Sequence, residues 1–227
     1  MATWKNTALS RDALHEAKRE ALLREAAAAF NRQGFHATSL DDIARNLGVT
    51  KAALYHYFPN KNALLQACFD KAMAVAFGSL ERARREGTSG RDKLRLTLSG
   101  YLEQMIDELN CCVVLMEEHA LAPKDRARLV QDRDRFEHAL RDLVREGIGD
   151  GSIVRCDPKL AVFAILGALN WVPKWFRESG PWSAPQLTEA FTELFDRALS
   201  SKPANTLTAD VGARQTSPRG QAPRSRS

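Results

Sequence analysis

The sequence predicts an all-α protein, and three observations carry that prediction. Apolar residues recur at three- and four-residue spacing from Ser10 to about Leu199, alternating β-branched runs are scarce, and Gly or Pro falls where segments should break. With 227 residues, 44% hydrophobic and 27% charged, the chain is long enough for a substantial core, which excludes fibrous, collagenous and wholly disordered classes. The pattern divides into an N-terminal arm with a three-helix unit over 1–60, a larger helical unit over 61–200 and a tail over 201–227, about nine helices in all.

The first helix is expected over Arg11 to Gln33, capped by Ser10, with Leu22, Leu23, Ala26, Ala27 and Phe30 on its apolar face and Gly34 as its stop. Thr38 or Ser39 caps a short second helix, whose Asp41 and Asp42 complement the positive end of its dipole and whose Ile43, Ala44 and Leu47 point inward. Gly48 supplies a tight turn, and Thr50 caps a third helix that ends at Tyr57, ahead of Pro59.

Two short helices joined by a glycine turn and backed by a longer one form the pattern of a helix-turn-helix. Packing through Leu54 and Phe58 leaves Thr50, Lys51, Ala52, Ala53, Tyr55 and His56 facing outward. Small residues at 52 and 53 let a helix approach base edges and touch a thymine methyl. Lys51 can donate to guanine O6 or N7, and hydroxyls can hold phosphates.

Residues 15–66, above all GFHATSLDDIARNLGVTKAALYHYFPNKNALL, resemble the DNA-binding domain of the TetR/AcrR family of transcriptional regulators. That resemblance implies a double-stranded DNA operator as partner, with a long fourth helix leading to a domain that dimerises and binds an inducer. By position it places Lys51, Ala52, Ala53 and His56 at bases, and Ser39, Thr50, Tyr55, Tyr57 and Lys61 at backbone phosphates. The order Tyr55-His56-Tyr57-Phe58 departs from the family pattern, leaving open which of His56 and Tyr57 meets a base. Asp41 stands where some members carry a basic residue. A carboxylate beside phosphates is unfavourable, so Asp41 is assigned to capping.

In the second unit, helix four is expected from Asn60 to about Glu86, followed by helices at Leu94–Leu109, in CCVVLMEEHALAP, and from Lys124 to Gly147. Asp157-Pro158 starts a helix that is apolar nearly all round, and Pro185–Leu199 forms the last. These two resemble the family's dimer-forming pair, so a homodimer through about 158–175 and 185–199 is expected. NWVPKWFRESGPWS loosely resembles members that respond to acyl-CoA thioesters. Met105, Cys112, Met116, Trp171, Trp175 and Phe176 are the candidate lining of a ligand pocket, with Arg177 for an anionic group.

Of the formal charge of +5, the five basic residues and one acidic residue of 201–227 account for +4. The folded part is nearly neutral, so any DNA affinity must come from local placement of charge. The tail is rich in Ser, Pro, Gly, Ala, Thr and Arg and poor in large apolar residues, and is expected to stay disordered. Four cysteines without a CxxC pair imply reduced thiols, and the apolar run Leu160–Leu169 is too short to span a bilayer, which points to a cytoplasmic protein with no membrane partner. No cofactor or metal motif is present, so an enzyme built on Cys112, Glu117, Glu118 and His119 is a remote reading. Control by a protein partner or by oxidation of Cys111 and Cys112, in place of a small ligand, is the nearer alternative.

Overall fold

The computed structural model describes residues 10–106, 118–177 and 179–202. Helix α1 (Arg11–Gln33) starts where the Ser10 hydroxyl accepts from the Ala13 amide and stops at Gly34, whose φ of 81° a side chain would resist. Helices α2 (Leu40–Asn46) and α3 (Lys51–Tyr57) follow, capped by Ser39 and Thr50, with Gly48 at φ 65° in the turn between them. Leu23, Phe30, Ile43 and Leu54 are wholly buried, so the small unit is organised around the inner faces of all three helices.

Helix α4 (Lys61–Glu86) begins at an Asn60 cap and buries Leu64, Leu65, Cys68 and Phe69. Its first three turns complete the small unit: Cys68 Sγ lies 3.8 Å from the Leu23 carbonyl, and Lys71 pairs with Glu20 at 3.1 Å. The same helix then packs on α5 (Gly90–Gln104) and α6 (Pro123–Gly149). Contrary to the expectation drawn from the longest apolar run, this helix is, among the described residues, long and apolar enough to cross a membrane by length and composition. Half of that window is buried inside the protein, as in a core helix.

Helix α7 (Pro158–Trp175) carries its own Asp157 cap, and α8 (Ala184–Leu199) starts with a reciprocal Ser183–Gln186 capping box. Arg91 of α5 clasps Asp196 of α8 through Nε at 2.7 Å, and the Val154 amide donates to the Leu199 carbonyl at 2.9 Å, fastening α8 to the domain. Eight α-helices and a 3-10 turn at Glu118–Ala120 are thus seen among the described residues. The short helix expected in CCVVLMEEHALAP lies largely outside them.

Candidate nucleic-acid interface

Helix α3 is held by one fully buried anchor, Leu54, and by Phe58 just beyond its end. A seven-residue helix with a single anchor presents the rest of its circumference outward. Thr50, Lys51, Ala52, Tyr55 and His56 are exposed, Ala53 and Tyr57 half-buried. Tyr55 keeps 43% of its surface open, which an ordinary core tyrosine would not. Tyr57 lies against His15 of α1, their rings 4.6 Å apart, with His56 edge-on to both.

The Thr50 hydroxyl accepts from the Ala53 amide at 3.2 Å, so it serves the helix cap. Ser39 is more fully engaged: its hydroxyl accepts from the Asp42 amide at 3.1 Å and donates to the Asp42 carboxylate at 2.6 Å. That hydrogen bond, reinforced by Arg45, holds the Asp42 carboxyl below the usual carboxylate range. The sequence reading of Asp41 as a capping residue therefore needs correction: Asp42 does that work. Asp41 reaches across to α3, where its Oδ2 accepts from Lys51 Nζ at 3.0 Å.

Lys61 is placed differently from the sequence expectation too. Its ammonium, half-buried, donates to the carbonyls of Phe35 at 2.7 Å and Thr38 at 2.9 Å, with His36 at 3.4 Å, and sits 4.2 Å from the centre of the Phe35 ring. Thr38, itself buried, donates to the Gly34 and Ala29 carbonyls. The α1–α2 loop is thus braced from α4 and from within. Neither brace was read from the sequence, because a lysine 26 residues away from its acceptor leaves no local spacing signal.

Of the candidate pocket residues, Met105 and Phe176 are buried in the core, while Trp171 is 57% and Trp175 38% exposed. Trp175 stacks on Phe191 of α8 with centroids 6.3 Å apart. Arg177 is exposed and donates to the Phe176 carbonyl. Cys112 and Met116 lie outside the described residues. His119 sits in the 3-10 turn beside Glu118, whose carboxylate is held by Arg126 and Arg133 and whose carboxyl is kept low by them despite burial. Cys112 and Glu117 of the enzyme reading are outside the described residues, and among those described no group of three His, Cys, Asp or Glu side chains could hold a metal.

Residues 22–68 match the model of bacterial regulatory proteins of the tetR family, and residues 87–199 match that of the tetracyclin repressor-like C-terminal domain. PfmR, a TetR family transcriptional regulator from Thermus thermophilus, is 33% identical; the likeness covers 78% of this chain and 97% of PfmR with a TM-score of 0.68. The chain belongs to the TetR family. This TetR-family member is a transcriptional regulator and not an enzyme. It is also similar to the transcriptional repressor KstR2 of Mycolicibacterium smegmatis, 27% identical over 77% of this chain and 86% of the relative. AibR, solved in complex with isovaleryl coenzyme A and operator DNA, shares the fold at 24% identity and a TM-score of 0.65, over 78% of this chain and 97% of its own.

Proposed function

We propose that this regulator is a cytoplasmic, ligand-responsive homodimeric repressor that reads a palindromic double-stranded DNA operator and is released by a small apolar or acyl-CoA-like inducer. The observation that carries the DNA part is the outward face of α3, anchored by Leu54 and by Phe58 just beyond its end. In that arrangement Lys51, Ala52, Ala53 and His56 meet base edges, and Thr50, Tyr55 and Tyr57 hold phosphates, with Ser39 joining them only if its hydroxyl proton leaves the Asp42 carboxylate. Lys61 reaches a phosphate only by exchanging one of its three carbonyls for it.

A second face supports dimerisation. On α7, Leu160, Phe163, Ala164, Gly167 and Trp171 form an exposed stripe, and on α8 Ala190, Leu194 and Ala198 form another. Leu160 is 67% and Leu194 60% exposed, an apolar surface that a solitary chain would leave in water. Pairing two such faces makes a twofold interface that sets the two α3 helices roughly 34 Å apart, one turn of DNA.

Release by ligand requires a route between the two units, with residues 1–60 as reader, 61–200 as receiver and 201–227 as a basic tail. Asn62 Nδ2 donates to the Ala120 carbonyl at 3.0 Å, and Arg128 of α6 pairs with Asp70 of α4. The body of the receiver therefore meets its own first helix, α4, one residue from the Lys61 brace. A ligand that prefers a shifted receiver would move the reading heads, in proportion to its preference. The acyl-CoA class rests on AibR, whose fold holds isovaleryl coenzyme A and operator DNA together. Mobility shifts and footprinting on the DNA upstream of its own gene, at physiological salt, test the reading. Protected twofold sites, lost on adding an acyl-CoA, support it; binding that never rises above the nonspecific level refutes it.

A further inference from the structure

The ion pair between Asp41 and Lys51 joins two helices at the reading surface, and neither residue needs it for the fold. Both side chains are about half exposed, at 52% and 51%, and the α2 cap is made by Ser39 and Asp42 without Asp41. An exposed pair of this kind contributes little to stability. Its consequence lies at the DNA. Because Asp41 Oδ2 is 3.0 Å from Lys51 Nζ, any base edge that Lys51 approaches also meets the carboxylate.

We propose that Asp41 and Lys51 read one G·C base pair as a unit, with the ammonium donating to guanine O6 and N7 while the carboxylate accepts from the N4 amino group of the paired cytosine. This rests on the reading of α3 as the DNA-facing helix. Lysine alone is a permissive donor, satisfied by guanine, by thymine O4, by adenine N7 or by a phosphate. The carboxylate removes that permissiveness. Beside a phosphate it is repelled. Over an A·T pair the one amino group is flanked by acceptors, N7 on one side and O4 on the other, which oppose a negative charge. In a G·C pair the major-groove edge runs acceptor, acceptor, donor. The spacing between guanine O6 and cytosine N4 is that of a hydrogen bond, about 2.9 Å, close to the separation within the protein pair. Asp41 is then a specificity-determining residue that restricts where Lys51 can bind.

Selection from a random duplex library with full-length wild type, Asp41→Ala, Asp41→Asn and Lys51→Ala tests this. Kd values on the wild-type site, on that site with the G·C pair replaced by A·T, and on a scrambled duplex complete it. The wild type should select one invariant G·C per half-site, with about tenfold discrimination against A·T there. Asp41→Ala should lose that discrimination to within about twofold and bind the scrambled duplex several-fold tighter, since the freed lysine gains a phosphate. Asp41→Asn should shift the position toward A·T, because an amide can pair bidentately with adenine N6 and N7. Thermal unfolding of each variant confirms an intact domain. Unchanged G·C discrimination in both Asp41 variants overturns the inference and leaves the DNA-binding proposal standing. A wild type that selects no sequence overturns both.

Discussion

Replacing Leu194 with glutamate should dissociate the dimer while leaving the protomer folded. Leu194 sits on the outer face of α8 between Ala190 and Ala198 and is 60% exposed in the single chain. Burying a whole leucine side chain is worth roughly 1.5–3 kcal/mol, so the open fraction carries about 1–2 kcal/mol per protomer, or about 2–4 kcal/mol for the symmetric pair. At 1.4 kcal/mol per decade, the dimer Kd should rise by about thirty- to seven-hundred-fold, before the cost of desolvating two carboxylates is added. Glutamate is a good helix former, so α8 itself should persist. Sedimentation velocity across a concentration series, with thermal unfolding alongside, measures both effects. A wild type that stays monomeric at every concentration, or a variant that dimerises as readily as the wild type, would refute the assignment of this face.

Four further outcomes follow from particular contacts. Lys61→Met leaves the Phe35 and Thr38 carbonyls without their charged donor and should destabilise the DNA-free protein by about 1–3 kcal/mol, measured by urea unfolding; no loss would mean that the brace contributes nothing. Gly48→Val faces open space but must adopt φ 65°, so the cost is backbone alone, about 1–2 kcal/mol, in the same assay. Tyr55→Ala should weaken all duplexes together in mobility shifts and leave the dimer intact, since a phosphate contact carries no sequence preference. Burial pushes both the Cys68 thiol and the Tyr101 hydroxyl up to about 12 in the folded chain, so between pH 9 and 12 the native state retains protons that the unfolded chain releases. Stability should therefore fall as pH rises, by up to about 1.4 kcal/mol per pH unit per group, and Cys68→Ala should flatten the lower part of that decline.

These helix starts were legible in the sequence because caps are local chemistry: Ser10, Thr50 and Asp157 each act within three residues of themselves. The exposed face of α3 was legible for a related reason, since Leu54 and Phe58 fix the inward direction and the rest follows from helical geometry. What escaped was every interaction joining distant positions. The Lys61 brace spans 26 residues, the Asp41–Lys51 pair joins two helices across a turn, and Arg91 meets Asp196 across 105 residues. Charge patterning along one helix cannot reveal a partner supplied by another. Which side of α7 faces inward was not legible either: Trp171 falls on the outer stripe while its neighbour Val172 is fully buried, and a helix that is apolar all round does not say which side is which.

The charge of the reading unit constrains how the protein gains affinity. From Arg11 to Lys61 there are eight Lys and Arg against six Asp and Glu, and Arg19, Arg32, Arg45 and Lys51 each pair with an acidic neighbour inside the unit. Counterion release scales with the number of phosphates neutralised, so a head that spends half its cations internally gives a shallow salt dependence and weak nonspecific binding. On the proposed reading, affinity for an operator then comes from the fit of Ala52, Ala53 and His56 into the groove, and from having two heads at once. Linking two weak heads rigidly multiplies their affinities only where both half-sites are present at the right spacing. The same economy of charge makes binding sensitive to small displacements. When little affinity is electrostatic and long-ranged, the proposed shift of one head by a few ångströms through α4 would remove most of what holds the other.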